Sequence, residues 1–288
     1  MEDYQHQLLT VIGGLICFCA LVKCIRFMKY VFPHTWSALP QAFFQSLGEW
    51  AVVTGAGDGL GKAYSFELAK RGLNVVMISR TLEKLKRVAT EIEQATGQKV
   101  KVIQADFTKN SVYENIEKGL QGLEIGVLVN NVGMLHNPLP CRFLNAPDVD
   151  ENLVNCNIIS ATKMTQIILK QMEPRQKGLI LNLSSGLGTF PCPLYTMYSA
   201  SKVVAPYGVS TPMTMHQKPG LITKTAEEFV SESLDYVTFG DEIFGCLAHE
   251  ILACVLRLVP LWVFHSDRLQ EAVLHLFTTY LKKRWRKP

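Results

Sequence analysis

The chain has 288 residues, of which 48% are hydrophobic, and its formal net charge at pH 7 is +4. A chain of this size can bury one sizeable core and still carry an extra apolar segment. The positive groups are scattered or terminal, which gives no support to nucleic-acid binding, and the eight cysteines form no C-x-x-C pair and no metal-binding group with histidine.

The first predicted element is an apolar run from Leu8 to Val22, preceded by acidic residues and followed by Lys23. A signal peptide has the opposite order of charge, and positive charge on the C-terminal flank favours a cytosolic domain after the run. We predict that residues 1–32 anchor the chain in a membrane, that residues 33–48 are a linker and that residues 49–288 form one domain. The run is short for a full span of ~20 residues, so a helix lying in the membrane interface stays open, as does a buried domain helix.

A glycine-rich loop then separates a predicted strand, Trp50–Thr54, from an amphipathic helix that runs to Arg71. A second strand, Asn74–Ser79, follows at the distance that a βαβ unit requires. In such a loop the backbone approaches a pyrophosphate, which rests on the helix N-terminus. The predicted dinucleotide contacts are Gly55, Gly57, Asp58, Gly59, Leu60 and Gly61.

Arg80 comes directly after the second strand. An NAD site usually has an acid there for the ribose hydroxyls, whereas a guanidinium suits a 2′-phosphate. The sequence therefore favours NADP(H) over NAD(H), with a solvated surface arginine as the alternative.

Strands and helices continue to alternate along the chain. Further strands are predicted at Lys101–Gln104, Gly126–Val129 and Gly178–Ser184, and helices at Leu82–Ala95, Ser111–Leu120 and Val149–Met172. This alternation predicts an α/β fold with a doubly wound parallel sheet of the Rossmann type. Asp106 is then placed to accept a hydrogen bond from an adenine, Asn131 to pack beside the adenosine, and Asn157 to anchor a proton relay.

Ser185 closes the fifth predicted strand, and Tyr198 and Lys202 lie four residues apart in the helix that follows. That spacing puts the phenol and the ammonium on one helix face. A tyrosinate is costly at neutral pH unless a cation stabilises it, and Lys202 can supply that charge. The Ser185 hydroxyl can hold a carbonyl oxygen against the phenol. Because Pro206 is poorly tolerated inside a helix, this helix is predicted to end near Val204.

Together the Gly55 loop, Asn130-Asn131-x-Gly133, Asn157, Ser185 and Tyr198-x-x-x-Lys202 resemble the short-chain dehydrogenase/reductase family in order and spacing. The resemblance implies hydride transfer at a carbonyl or secondary alcohol. Tyr198 is then the acid/base, Lys202 its electrostatic support and ribose contact, and Ser185 the substrate holder. Ile78–Lys84 and Ile125–Met134 are most similar to the 17-beta-hydroxysteroid dehydrogenase branch, which implies NADPH-dependent reduction of androstenedione to testosterone. A lipophilic steroid suits an anchor in the endoplasmic-reticulum membrane.

The chain departs from that family after Lys202. The family continues this helix, adds a sixth strand and only then reaches a segment similar to Pro206–Met213, so roughly twenty residues are absent. Thr211 in that segment is still expected to reach the nicotinamide. The loss leaves a strand edge unpaired and weakens any homodimer. Two alternatives remain, a very-long-chain 3-ketoacyl-CoA reductase and a catalytically silent Rossmann-fold membrane protein.

Overall fold

A computed structural model of the chain describes residues 2–31, 39–40, 42–137, 150–188, 193–202, 209–214, 216–220, 222–237, 243–257, 259–260, 263 and 266–285. Five strands form one parallel sheet: β1 Trp50–Thr54, β2 Asn74–Ser79, β3 Val100–Gln104, β4 Ile125–Asn130 and β5 Leu179–Asn182. Their order across the sheet is β3-β2-β1-β4-β5. The sheet confirms the predicted parallel α/β fold, with β1 at its centre.

The helices are α1 Glu2–Val31, α2 Phe43–Leu47, α3 Gly59–Lys70, α4 Leu82–Thr96, α5 Tyr113–Leu120, α6 Asp150–Val154, α7 Ser160–Met172, α8 Thr196–Ser201, α9 Ala226–Asp235, α10 Leu247–Arg257 and α11 Asp267–Trp285. A π-helical turn, Asn155–Ile159, joins α6 to α7. Two-residue strands, β6 Val209–Ser210 and β7 Lys224–Thr225, pair with each other.

Alternate residues of the central strands bury their side chains on opposite faces of the sheet. Val53 and Met77 face a core that contains residues of α3, α4 and α9, whereas Val52 and Leu128 face a core that contains residues of α5 and α7. Strands covered on both faces are expected to be continuously apolar. This explains why β1, β2 and β4 carry uninterrupted hydrophobic runs.

The linker predicted at residues 33–48 lies partly outside the described ranges. Of its described part, residues 43–47 form α2, and Phe44 is 2% exposed within the core. The Arg71 guanidinium lies 5.1 Å from the Phe44 ring centroid. Helix α2 is therefore packed against the domain that follows it.

Strand β5 differs from the strands beside it. All six residues of β4 are buried, whereas Leu179, Ile180 and Leu181 of β5 are only half-buried and Asn182 is exposed. Within the described ranges, β5 is the last strand on its side of the sheet. Among the described residues, no strand pairs with its outer backbone edge.

Helix α1 has apolar side chains around its whole circumference, and those of Leu9, Ile16 and Phe18 are more than half exposed. Among the residues that the structure describes, none of the helices is both long enough and apolar enough to cross a bilayer. The membrane anchor at residues 1–32 stays a prediction.

Candidate active site

The glycine-rich loop folds tightly between β1 and α3. Gly55 and Gly59 have φ angles of +66° and +56°, in the left-handed region that favours glycine. A Cβ atom at Gly61 would collide with the Gly55 carbonyl oxygen. Any larger residue at Gly61 would push the loop off the N-terminus of α3, so the backbone stays open for close approach by a ligand.

Thr54 and Asn131 tie the carboxyl ends of β1 and β4 together. The Thr54 Oγ1 atom accepts hydrogen bonds from the backbone N–H groups of Asn131 and Val132, each at 3.0 Å. The Asn131 side-chain amide donates to the carbonyl oxygens of Thr54 at 2.8 Å and Gly55 at 3.2 Å. Asn131 therefore holds the loop in place with its amide, a role that the sequence prediction of an adenosine contact did not include.

Arg80 and Asp106 lie at the carboxyl ends of β2 and β3, as predicted. Burial opposes ionisation of Asp106, but hydrogen bonds from Thr108 and the charges of Arg80 and Lys109 outweigh it and lower the Asp106 pKa. The Asp106 Oδ1 atom accepts from the Thr108 backbone N–H at 3.1 Å and from its hydroxyl at 2.9 Å. An ionised carboxylate and an exposed guanidinium therefore mark this end of the site.

Tyr198 is 6% exposed and lies in the short helix α8. Burial raises its pKa, and a hydrogen bond with the Ser185 side chain opposes that rise. The Ser185 hydroxyl also accepts from the Leu187 backbone N–H at 3.3 Å. The structure thus places the predicted phenol and serine hydroxyl close enough to interact, in the same part of the site.

Lys202 lies just past the end of α8, with φ −125° and ψ 87°. The prediction that Tyr198 and Lys202 share one helix face is therefore wrong, because α8 ends at Ser201 rather than near Val204. Residues 203–208, which include Pro206, lie outside the described ranges. The Lys202 ammonium instead donates to the Leu183 carbonyl oxygen at 3.2 Å, and burial lowers its pKa to about 8.

Asn157 lies in the π-helical turn and links three parts of the site. Its Oδ1 accepts from the Met134 N–H at 2.8 Å, and its Nδ2 donates to the Met134 carbonyl at 3.0 Å and to the Ser201 hydroxyl at 2.8 Å. The Ser201 hydroxyl donates in turn to the Tyr198 carbonyl at 2.8 Å. A Cβ atom at Gly133 would lie 3.0 Å from the Lys202 Nζ atom, so only glycine leaves this ammonium its full space.

These groups converge on one cleft of about 320 Å³ along the carboxyl ends of the strands. The predicted residues that line it are Gly55, Gly57, Asp58, Gly59, Leu60, Arg80, Asp106, Asn131, Ser185, Tyr198, Lys202 and Thr211. The cleft lining does not include Gly61 or Asn157, which support it from behind. Thr211 packs against Gly59, with 3.3 Å between its Cβ and the Cβ position of that glycine.

The sequence prediction missed Lys84 and Ser184, which also line the cleft. The Lys84 ammonium lies 2.7 Å from an oxygen of Asp58. Lys84 lies four residues after Arg80 at the start of the next helix, and this second cation near the end of β2 was the available signal. Ser184 is adjacent to Ser185, and nothing in the local pattern separates their roles.

The cleft suits a dinucleotide that carries a 2′-phosphate. The glycine loop and the N-terminus of α3 can receive a pyrophosphate, and Arg80 supplies a positive charge at the adenosine end. Tyr198, Ser185 and Lys202 lie at the other end, where a carbonyl could be protonated.

Residues 49–206 match the family described as short chain dehydrogenase. The chain belongs to the short-chain dehydrogenase family. Human 17-beta-hydroxysteroid dehydrogenase type 3 (Homo sapiens) is 57% identical, with 98% of each chain covered. The very-long-chain 3-oxoacyl-CoA reductase of Macaca fascicularis is 42% identical over 76% of this chain and 78% of that protein.

A solved 7beta-hydroxysteroid dehydrogenase has the same fold, with a TM-score of 0.70, 22% identity, and 77% of this chain and 99% of that chain covered. The alignment with the human type 3 protein runs over 304 residues, more than the 288 of this short-chain dehydrogenase. The human protein therefore has residues that stand opposite gaps in this chain. As a member of the family, the chain is an oxidoreductase by fold and by site.

Proposed function

We propose that this short-chain dehydrogenase reduces 17-ketosteroids with NADPH, converting androstenedione to testosterone. The observation that carries the proposal is the presence of Tyr198, Ser185 and Lys202 in one cleft that also holds the glycine loop and Arg80. The 57% identity to a 17-beta-hydroxysteroid dehydrogenase over nearly the whole chain supports the steroid as substrate. The 3-oxoacyl-CoA reductases match less of the chain at lower identity, so the steroid is the preferred substrate class.

Bound NADPH supplies the hydride. The residues of this chain hold and protonate the ketone: the Ser185 and Tyr198 hydroxyls donate hydrogen bonds to its oxygen, and Tyr198 transfers its proton to the oxygen as negative charge develops there. The charge left on the Tyr198 oxygen then needs a cation. Lys202, which is buried in the same cleft, is the residue available to stabilise it.

Asn157, which is predicted to anchor a proton relay, connects two parts of the site through its hydrogen bonds. Its side chain joins the Met134 backbone to Ser201, next to Lys202. We infer that Asn157 holds the loop after β4 and the end of α8 at a fixed separation. That separation determines where the Lys202 ammonium can lie.

The exposed apolar surface of α1 supports a membrane-associated protein. We propose that residues 1–32 attach the chain to the endoplasmic-reticulum membrane with the domain from residue 49 onwards in the cytosol, where a lipophilic steroid can reach the cleft from the bilayer. The end of α8 at Ser201 supports the prediction that a homodimer is weakened, because the family resemblance implies that the longer helix helps to form the dimer interface.

The test is NADPH-dependent reduction of androstenedione by the purified full chain. Tyr198→Phe should lower kcat at least about a hundredfold, because it removes the proton donor. Tyr113→Phe is the matched control, since the Tyr113 hydroxyl is buried, has no hydrogen-bond partner and lies outside the cleft.

A Tyr198→Phe protein that reduced androstenedione at the parent rate would overturn the proposal. Faster turnover of a long-chain 3-ketoacyl-CoA than of the steroid would instead assign the chain to the acyl-CoA reductases. NADPH binding without turnover of either ketone would indicate the catalytically silent protein.

A further inference from the structure

An ion pair crosses the mouth of the cleft at its adenosine end. Asp58 lies in the glycine-rich loop directly before α3, and Lys84 lies in the first turn of α4. The Lys84 Nζ atom donates to the Asp58 Oδ2 atom at 2.7 Å, and the two side chains are 49% and 50% exposed. Both residues line the cleft together with Arg80.

The stem of Lys84 lies against the loop. The Cβ position at Gly57 is 3.5 Å from the Lys84 Cβ atom and 3.7 Å from the Ser79 hydroxyl. Arg80 follows β2, Lys84 lies in the first turn of α4, and both line the cleft beside Ser79 and Thr81, so their positive charges belong to the same corner of the cleft. This corner is where the ribose of the adenosine half is expected in a Rossmann fold.

A half-exposed ion pair is weak, since solvent screens it and two flexible side chains must be ordered. A phosphate dianion offers the ammonium more negative charge and more acceptor oxygens than one carboxylate does. Lys84 can therefore exchange Asp58 for a phosphate at small cost. The Asp58 carboxylate, by contrast, has no attractive contact to offer a phosphate and repels it.

We propose that Lys84 is a second cationic ligand of the cofactor 2′-phosphate, beside Arg80, and that Asp58 pairs with the Lys84 ammonium when no phosphate is bound. This proposal rests on the proposed use of NADPH. It assigns Asp58 a role opposite to a simple cofactor contact: the carboxylate competes with the phosphate for Lys84 and thereby limits affinity for 2′-phosphorylated ligands.

Binding of NADPH, NADH, adenosine 2′,5′-bisphosphate and 5′-AMP to the full chain, measured by calorimetry or fluorescence, tests the proposal. Lys84→Gln should weaken binding of NADPH and the bisphosphate about tenfold and leave NADH and 5′-AMP unchanged. Asp58→Asn should tighten binding of the two 2′-phosphorylated ligands several-fold, and the gain should be smaller in the Lys84→Gln background, where only the repulsion by Asp58 is relieved. Lys86→Gln, which alters an exposed lysine outside the cleft lining, is the matched control.

If the ion pair only fastens α4 to the loop, Asp58→Asn and Lys84→Gln will weaken all four ligands alike, and the proposal is wrong. Failure of the parent chain to prefer the bisphosphate over 5′-AMP also overturns it. Neither outcome depends on a steroid, because the adenosine fragments do not reach Tyr198. A chain that prefers 2′-phosphorylated ligands but does not reduce androstenedione would leave this assignment intact and remove the proposed substrate.

Discussion

Lys202 meets two opposing demands within one side chain. In the proposed mechanism its ammonium must be charged to stabilise negative charge on Tyr198, yet the residue is only 6% exposed and burial lowers its pKa to about 8. Within the described ranges, the Leu183 carbonyl oxygen accepts a hydrogen bond from that ammonium. A charged Lys202 thus supports the proposed reaction but lowers the free energy of unfolding.

Replacing Lys202 by Met should make the protein more stable at neutral pH. Its pKa is about 8 in the folded chain against 10.5 for the free side chain. Between these values the unfolded chain binds more protons, so the free energy of unfolding rises with pH there, and the penalty is present in full below pH 8. Lys202→Met should raise Tm at pH 7 by about 2–4 °C, less whatever the unpaired Leu183 carbonyl costs.

Thermal unfolding of the parent and variant chains without cofactor, from pH 7 to pH 10.5, measures this effect. The gain in Tm should shrink as pH rises, because the parent loses its buried charge. A constant difference across that range would contradict the assigned cause. Lys86→Met, at an exposed position, should show no such trend.

Helix α8 is short, so side-chain hydrogen bonds must help to hold it in place. A longer helix would be held by more of its own backbone hydrogen bonds. A helix of six residues forms few internal hydrogen bonds. The chain of bonds from Asn157 to Ser201 and on to the Tyr198 carbonyl replaces part of that support. Ser201 is therefore a positioning residue for Tyr198 and Lys202.

Ser201→Ala should lower kcat about tenfold with little change in the KM for NADPH, because only the reacting end of the cleft is loosened. Ser199→Ala in the same helix is the control, since the Ser199 hydroxyl is buried without a hydrogen-bond partner. Steady-state kinetics of both variants, with Ser201→Thr to restore the hydroxyl, give the comparison. Equal losses of kcat in the Ser199 and Ser201 variants would show that any substitution in α8 lowers kcat to the same extent, which would contradict the positioning role of Ser201.

Regular elements with a strong local pattern were predictable, and contacts between elements were not. β1 and β2 begin and end at the predicted residues because each is a continuous apolar run bounded by polar or turn residues. The π-helical turn that holds Asn157 was missed, since one extra residue in a helix barely alters its periodicity. The Asp58–Lys84 pair joins separate elements, so the spacing within either element gives no sign of it.

At the scale of the whole molecule, we expect the absent segment to weaken the structure beside β5. β1, β2 and β4 are largely inaccessible to solvent, whereas the two outer strands of the described sheet, β3 and β5, are mostly half-buried or exposed. The cofactor loop and Arg80 follow the inner strands β1 and β2, and Tyr198 and Lys202 follow the outer strand β5. We expect stability and assembly to be impaired more than cofactor binding.

Inserting after Lys202 the roughly twenty residues that the family is expected to have there, taken from the human type 3 protein, should raise Tm by several degrees and increase androstenedione turnover, because a sixth strand would cover the β5 edge. Thermal unfolding and the reductase assay measure the two effects. A Gly/Ser insertion of equal length is the control. Equal Tm values for the parent and restored chains would show that the β5 edge is not a weak point.

The adenosine corner of the cleft is separate from the end that donates the proton. A thermal-shift screen with cofactor therefore does not report on Tyr198. A ligand that binds the folded state raises its melting temperature according to concentration and affinity alone. NADPH held by the loop, Arg80 and Lys84 would therefore give a normal thermal shift in a chain whose Tyr198 is misplaced. A rise in Tm with NADPH would classify such a chain as intact. Only turnover of a ketone reports on the end of the cleft that holds Tyr198.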